Sequence, residues 1–381
     1  MSQEKVNIAA LIPYKIFPPK MGGQKGIAYF YRFFATLVNL TCITTKNNEE
    51  DGEKEYEVFR LLNSHRFRYV NLLYFFSIRK IVIQKRITHF IIEHPYFGWL
   101  GILLKWFCNI KLVVHSHNIE GLRFKSLGKW WWGILWNYEK FTHKQAHINF
   151  FIHEEDREFA IQRFGLSPSK CFIITYGFEL HHGPSAANKL AAKAKLCELY
   201  DIDKEDKILL FNGTLDYSPN REALDVILEI INPLLLAEQG FKYRILICGS
   251  KLPPLYNNLL AYQDKNVTYA GFVDDITLYF KGADIFLNPV IDGGGIKTKI
   301  VEALGYDLSV ISSQSGAIGI PVSITGEKMK VIADSDWTLF AAQVILQKTE
   351  NCTPPEFFDH FYWGNIAKKA FECIKMDYNN L

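Results

Sequence analysis

Apolar positions along this chain cluster in short runs separated by longer, helically spaced stretches. Val6 to Tyr14 is a short apolar strand bounded by Pro13, followed by the loop FPPKMGGQKG and a helical stretch near Ile27 to Leu37. Strand-like runs recur at Leu40 to Thr44, His89 to Ile92 and Lys111 to His115, with helical stretches between several of them. The segment from Asn47 to Glu57 is acidic and polar and reads as an exposed loop. The apolar stretch from Phe97 to Val114 is interrupted by Lys105, Asn109 and Lys111, which suits a buried helix and strand better than a membrane span. Alternation of this kind predicts a parallel, doubly wound α/β sheet.

The pattern restarts after Ala186. A lysine-rich surface helix, Asn188 to Tyr200, leads into the run ILLFNGTL at 208–215. Further strands are expected at Tyr243 to Cys248, Val267 to Tyr269, Ile285 to Asn288 and Leu308 to Ser312. Helices are expected at Arg221 to Leu235, Ile276 to Lys281 and Ile296 to Leu304, and an amphipathic one at Asn365 to Met376. The chain therefore divides into two Rossmann-like domains, residues 1–185 and 186–359. The 381 residues fit that division at roughly 150 residues per domain. Two such domains facing a cleft would place ligands at the carboxyl ends of their strands.

Charge sharpens the division. Residues 1–180 carry 24 Lys and Arg against 15 Asp and Glu, a net of +9, whereas residues 181–381 carry 19 against 25, a net of −6. A basic half fits peripheral contact with an anionic membrane. The basic runs Arg79, Lys80, Lys85 and Arg86, and the tryptophans Trp130, Trp131 and Trp132 beside Lys125 and Lys129, are candidate anchors. A dispersed imbalance would look the same. Nucleic acid is not indicated, for neither a zinc-finger nor an RNA-recognition signature is present. The seven cysteines are scattered singly with no CxxC pair, which points to reduced thiols and the cytoplasm, and no signal-peptide pattern is visible.

The richest chemistry lies in GGGIKTKIVEALGYDLSVISSQSGAIGI, residues 293–320. A triple glycine opens a helix carrying Lys297, Lys299 and Glu302. Free backbone N–H groups at a helix N-terminus, flanked by lysines, form an anion site. Lys299 and Glu302 are three apart and share a helix face. A cation for phosphate beside a carboxylate for a sugar hydroxyl pair would suit a nucleotide-sugar diphosphate. In FNGTLDYSPN, Gly213 ends a strand where backbone could approach a phosphate, and Asn220 can start the next helix; an ordinary strand-to-helix turn would read alike. In AGFVDDITLYF, Gly271, Phe272 and Val273 could line a flat base pocket, with Asp274 or Asp275 capping the following helix. In VVHSHNIEGLRF, His115, His117 and Glu120 follow a strand directly. Two histidines without a third clear ligand argue against a metal centre. Gly22 and Gly23 lie on the first strand-to-helix loop.

Taken in order, these segments resemble the retaining GT-B glycosyltransferases of family four. The likeness is carried by ILLFNGTLDYSPNREALD, VTYAGFVDDITLYFKGADIFLNPV, GGGIKTKIVEALGYDLSVISS, HSHNIEGLRF, GGQKG and FYWGNIAKKAFECI. The resemblance implies a GT-B fold in which a C-terminal helix, residues 360–378, crosses back to the first domain. It implies transfer of a sugar from a nucleotide diphosphate donor, UDP- or GDP-linked, to a saccharide or lipid-linked saccharide; no DxD-like pair sits in a convincing site, so no obligatory metal or other cofactor is expected. Carried over by position, Glu302 would bind ribose, and Lys299 with Lys297 the diphosphate. Gly295 and Ile296 would offer backbone donors to it, and Gly22 and Gly23 would face it. His117 would lie near the donor sugar, and Phe272 and Val273 near the base. The family's first motif glutamate is replaced by Gly294, which leaves the sugar open. A GT-B sugar-nucleotide epimerase and a catalytically silent GT-B subunit are the alternatives.

Overall fold

The structure, a computed structural model, describes residues 5–19, 22–49, 55–293 and 295–378. The chain forms two compact units, one running to Glu179 and resuming at Phe361, the other spanning Leu180–His360.

The first unit is built on seven parallel strands: β1 (Asn7–Leu11), β2 (Asn39–Thr45), β3 (Glu57–Leu62), β4 (His89–Glu93), β5 (Lys111–Ser116), β6 (Ile148–Phe151) and β7 (Cys171–Ile173). Their order in the sheet is β3-β2-β1-β4-β5-β6-β7. The helices are α1 (Gly22–Ala35), α2 (Tyr74–Gln84), α3 (Gly98–Cys108), α4 (Glu120–Ser126), α5 (Trp132–Gln145) and α6 (Glu154–Phe159). The central strands are apolar almost throughout because helices cover both faces of the sheet. Ala9, Leu11, Phe90, Ile92, Leu112 and Val114 all lie in one buried cluster. The 97–114 run is the buried helix and strand its interrupting polar residues predict. Asn109 ends α3 in the left-handed conformation at φ 52°, which asparagine tolerates.

The second unit holds six parallel strands, β8 (Lys207–Asn212), β9 (Tyr243–Cys248), β10 (Val267–Gly271), β11 (Ile285–Asn288), β12 (Ser309–Ser313) and β13 (Met329–Ile332), in the order β10-β9-β8-β11-β12-β13. Its helices are α7 (Ala186–Tyr200), α8 (Ser218–Val226), α9 (Asn232–Leu236), α10 (Ile276–Gly282), α11 (Thr298–Gly305) and α12 (Trp337–Leu346). After α13 (Pro355–Phe361) the chain returns to the first unit as α14 (Trp363–Tyr378), which packs against α1. Ser185 Oγ accepts from Asn188 N and Asp275 Oδ1 from Thr277 N, capping α7 and α10.

Both sheets reverse direction once, between β1 and β4 and between β8 and β11. In open α/β sheets ligands gather at that reversal, beyond the carboxyl ends of the strands.

Several boundaries differ from the pattern reading. The first helix begins at Gly22 rather than near Ile27, so Gly22 and Gly23 form its opening turn and not a loop. The expected acidic loop ends in a strand, β3, while its residues 50–54 lie outside the described residues. The helix expected from Arg221 begins at Ser218, which places Asn220 inside its first turn and not at the cap. The helix expected from Ile296 begins at Thr298.

Candidate functional site

In the second unit, the reversal point is where the chain leaves β8 at Gly213 and β11 at Asn288. The loop after β11 turns through Gly293 (φ 91°) and Gly295 (φ 74°), conformations that favour glycine. Gly294, where the family motif would have its first glutamate, lies outside the described residues. The loop enters α11 at Lys297, and that helix start has no side-chain cap. This helix start borders a cavity of about 170 Å³, lined among others by Tyr217, Asn220, Asn288, Ile296, Lys297 and Lys299.

Lys299 is the centre of this cavity wall. Its Nζ donates to the Asn212 carbonyl at 2.6 Å and to Asn220 Oδ1 at 2.8 Å, and lies 5.5 Å from the Phe211 ring centre. Asn220 in turn donates to the Thr214 carbonyl at 2.9 Å, so the side chain expected as a cap instead holds a lysine. Gly213 makes room for this arrangement. A Cβ there would stand 2.8 Å from both Lys299 Nζ and Asn220 Nδ2. Burial pushes the Lys299 ammonium down to about 8, the neighbouring Lys297 charge adds to that, and Glu302 opposes it. Burial also lowers Lys297, whose Nζ donates to the Gly293 carbonyl and so ties the glycine loop to the helix start. Two lysines and a helix start without a side-chain cap line one small cavity. An anion entering it would relieve the repulsion between them.

Glu302 lies one turn further along α11, partly buried and electrostatically coupled to Lys299. Phe272 and Val273 follow β10, two strands away from β8 at the edge of the sheet; Phe272 is 71% exposed and Val273 half-buried. The structure thus gathers Gly213, Ile296, Lys297 and Lys299, places Gly295 beside them in the chain, and leaves Phe272 and Val273 at the far side of the same sheet end.

In the first unit the carboxyl ends of β4 and β5 carry a second constellation. Glu93, fully buried, accepts from Tyr31 OH at 2.5 Å; its Oε1 lies 3.1 Å from His115 Nδ1 and its Oε2 2.6 Å from His117 Nε2. Burial alone would raise the Glu93 carboxyl, but the two imidazoles outweigh it and hold the group well below the usual carboxylate range. An ionised carboxylate only accepts, so the imidazole nitrogens facing it carry protons. Burial lowers His117 to about 4, against the pull of Glu93, so the ring is neutral at pH 7. With its proton on Nε2, its Nδ1 is left as an acceptor. His117 keeps 19% of its side chain accessible, whereas Glu93 and His115 are closed off.

A parallel pair sits beside it. His94 Nδ1 lies 3.0 Å from Glu120 Oε1, its Nε2 3.0 Å from Tyr14 OH, and its ring stacks on His117 at 4.8 Å. Glu120 also accepts from Tyr96 OH at 2.6 Å and Arg123 at 2.9 Å. His94 adopts φ 63°, ψ 162°, a region essentially reserved for glycine, which costs about 1–3 kcal/mol and is held by these partners. Sequence reasoning found His115, His117 and Glu120 but missed Glu93, His94, Tyr31 and Tyr14. The signal available was position alone: Glu93 and His94 end the strand next to β5. Glu93 also supplies the third ligand atom that the sequence lacked. It forms, with His115 and His117, a set whose donor atoms lie within 4.8 Å and could hold a metal ion. As arranged, both carboxylate oxygens are already engaged by protonated nitrogens, which a metal would have to displace.

Two family profiles match the chain: "Glycosyltransferase Family 4" over residues 22–182 and "Glycosyl transferases group 1" over residues 206–346. No curated protein sequence matches it. Among solved structures, sucrose-phosphate synthase from Thermosynechococcus elongatus superposes with a TM-score of 0.75 at 15% identity, over 99% of this chain and 100% of that one. A glycosyltransferase from Rickettsia africae superposes at 0.72 with 15% identity over the whole of both chains. The Anabaena protein Alr3699/HepE in complex with UDP superposes at 0.70 with 12% identity, over 97% and 100%. Two Rossmann-ordered sheets, a lysine-bearing helix start at one reversal point and matches in both halves lead to one conclusion: the chain belongs to the GT-B glycosyltransferases of group 1, family 4, enzymes that use nucleotide-sugar donors.

Proposed function

We propose that the protein is a retaining, metal-independent hexosyltransferase that moves a sugar from a UDP- or GDP-linked donor to a saccharide or lipid-linked saccharide acceptor. The observation that carries this reading is Lys299, a buried lysine lowered to about 8 that lines, with Lys297, a cavity at the helix start. A cation held at this cost is stabilised by an incoming diphosphate. In this reading the two lysines and the backbone N–H groups of Gly295 and Ile296 bind the diphosphate, and Gly213 lets Lys299 approach. Glu302 takes the ribose hydroxyls, Phe272 and Val273 the base. Gly22 and Gly23, in the opening turn of α1, offer backbone donors to the same ligand.

As the bond between the anomeric carbon and the phosphate oxygen breaks, charge accumulates on the diphosphate. The lysines stabilise it more than they stabilise the intact donor. The acceptor hydroxyl oxygen forms the new bond to the anomeric carbon, and its proton passes to the departing phosphate. No side chain is assigned as base. Neutral His117 accepts a hydrogen bond from a donor-sugar hydroxyl through Nδ1 and holds the ring during transfer. The excess of basic residues in the first half favours a peripheral contact with the cytoplasmic face of an anionic membrane, where a lipid-linked acceptor would be met.

A thermal-shift panel of UDP, GDP and their sugars tests the donor site, with UDP first because the Anabaena relative is solved with it. A ligand at a hundred times its dissociation constant stabilises by about 2.7 kcal/mol, a readily measured shift. His117→Ala should retain that shift and lose transfer. An inert panel would refute the donor assignment, and a His117→Ala protein that unfolds would make the histidine structural.

A further inference from the structure

The first unit exposes a band of large apolar side chains that its core does not explain. Leu72 and Leu73 precede α2, Phe76 lies in its first turn, and Trp106 and Phe107 end α3; all five are more than three-fifths exposed. The two helices pack together, and the Phe75 ring joins the band across them, 5.5 Å from Phe76 and 5.7 Å from Phe107. Scattered exposed apolar residues are ordinary, but a contiguous aromatic and aliphatic band marks an interaction surface.

Its charge identifies the occupant. From Val58 to Asn109 the chain carries eight Lys and Arg (Arg60, Arg66, Arg68, Arg79, Lys80, Lys85, Arg86 and Lys105) against one acid, Glu93, which is buried among histidines; the exposed Glu57 just before this stretch pairs with Lys85 and leaves the other seven cations. Arg79 and Lys80 are exposed on α2, and the Arg79 guanidinium reaches the Cys108 thiol at the end of α3, next to Phe107. A protein partner for an apolar band would ordinarily bring a mixed-charge rim. A surface with apolar tips, arginine and lysine beside them and no carboxylate on either α2 or α3 matches an anionic lipid leaflet, which takes aromatic side chains into its interface and cations at its headgroups.

We propose that the band formed by Leu72, Leu73, Phe76, Trp106 and Phe107, with Arg79 and Lys80, is the surface by which this protein docks on an anionic membrane. The inference rests on the membrane contact proposed above and assigns it a place. It also revises the anchors expected from sequence. Of the three consecutive tryptophans only Trp130 is freely exposed, at 84%. Trp131 packs on Phe124 at 4.7 Å, and Lys125 lies over the Trp132 ring at 4.9 Å. Lys85 is neutralised by Glu57 at 2.5 Å. Among the described residues no helix is long and apolar enough to cross a membrane, so the docking is interfacial.

The test is co-sedimentation of the full chain with vesicles of phosphatidylcholine, with and without phosphatidylglycerol, at low and high salt. Binding should require the anionic lipid and weaken with salt. R79E/K80E should weaken it at least tenfold, since each such charge at an anionic surface contributes about fivefold in affinity. L72S/L73S/F76S should abolish it, whereas W130S should leave it within about twofold. Unchanged thermal unfolding and unchanged nucleotide shift would show that the variants fold. No binding to anionic vesicles at low salt overturns the proposal, as does binding that survives L72S/L73S/F76S. Self-association of the wild type that those three substitutions remove, without vesicle binding, would assign the band to a second copy of the chain and overturn it equally. Vesicle binding in a protein that ignores every nucleotide would count against the donor site alone.

Discussion

The two strand-end constellations are built in opposite ways. In the second unit the candidate groups come from one short stretch, Gly293 to Glu302, together with the turn after β8, and most of them line one cavity. In the first unit they come from α1, from the ends of β4 and β5, and from α4, and they point at one another. Lys299 is a cation held by a carbonyl and an amide oxygen. Glu93 is an anion held by a tyrosine and two histidines. The first arrangement keeps charge available to a ligand. The second satisfies its charge internally and leaves the neutral imidazole of His117 as its most accessible ring. In the proposed function, binding strength would come from the lysine helix and orientation from the histidine network.

Removing Glu93 strains that division most. Each orphaned buried donor costs about 1–3 kcal/mol, and Glu93 serves three, so Glu93→Ala should lower stability by roughly 3 kcal/mol or more in urea unfolding. Nucleotide affinity of the refolded protein should be unaltered. A loss of less than about 1 kcal/mol would mean that the network is not what holds the strand ends. Lys299→Ala should do the reverse. It removes charge from the proposed site of the leaving diphosphate, so turnover at saturating donor should fall on the order of 10²–10³-fold with stability little changed. Lys297→Ala should be milder, because Lys297 precedes α11 and is tied to its own glycine loop, whereas Lys299 stands on the helix against the turn after β8. Wild-type turnover in Lys299→Ala would remove that lysine from the transition state.

The same contrast explains what could be read from the sequence. The lysine helix was legible because its parts are local: glycines, two lysines and a glutamate within ten positions, after an apolar run. The sheet itself was legible for a similar reason, since buried parallel strands such as Ile285–Asn288 are continuous apolar runs. Glu93 was not legible. It stands 22 residues before His115 and 62 after Tyr31, and only the register of β4 against β5 brings it beside the histidine. His94 was hidden for a further reason, because its unusual φ is imposed by partners from elsewhere in the fold. The start of α1 was misjudged because glycines 22 and 23 read as a loop, although a helix can begin on glycine where its first N–H groups have no helical partner in any case.

Glu302 offers a sharper cut within the second unit. If it takes the ribose hydroxyls, Glu302→Ala should cost about 1.5–3 kcal/mol in nucleotide affinity by calorimetry, the range for hydrogen bonds to a charged group. The loss should appear with the nucleoside diphosphate and vanish with inorganic pyrophosphate, which has no ribose. Equal losses for both ligands would mean that the glutamate acts only through Lys299.

The smallest effect is a proton. Lys299 is lowered to about 8 in the free protein, by burial first and by Lys297 second. A folded value below the ordinary lysine value means that the unfolded chain binds more protons between about pH 8 and 10.5, so this group adds stability as pH rises through that window. A bound diphosphate acts in the other direction, favouring the ammonium and raising its pKa again. Above pH 8 nucleotide binding should therefore take up a fraction of a proton, and affinity should decline as pH rises, by at most tenfold per unit for one group. Calorimetry in two buffers of different ionisation enthalpy reads that uptake directly. Lys299→Ala should abolish most of it, leaving the smaller share due to Lys297. Binding with no proton uptake at pH 8.5 in the wild type would mean that the diphosphate does not touch Lys299, and the division between a ligand-facing unit and a self-satisfied one would lose its main support.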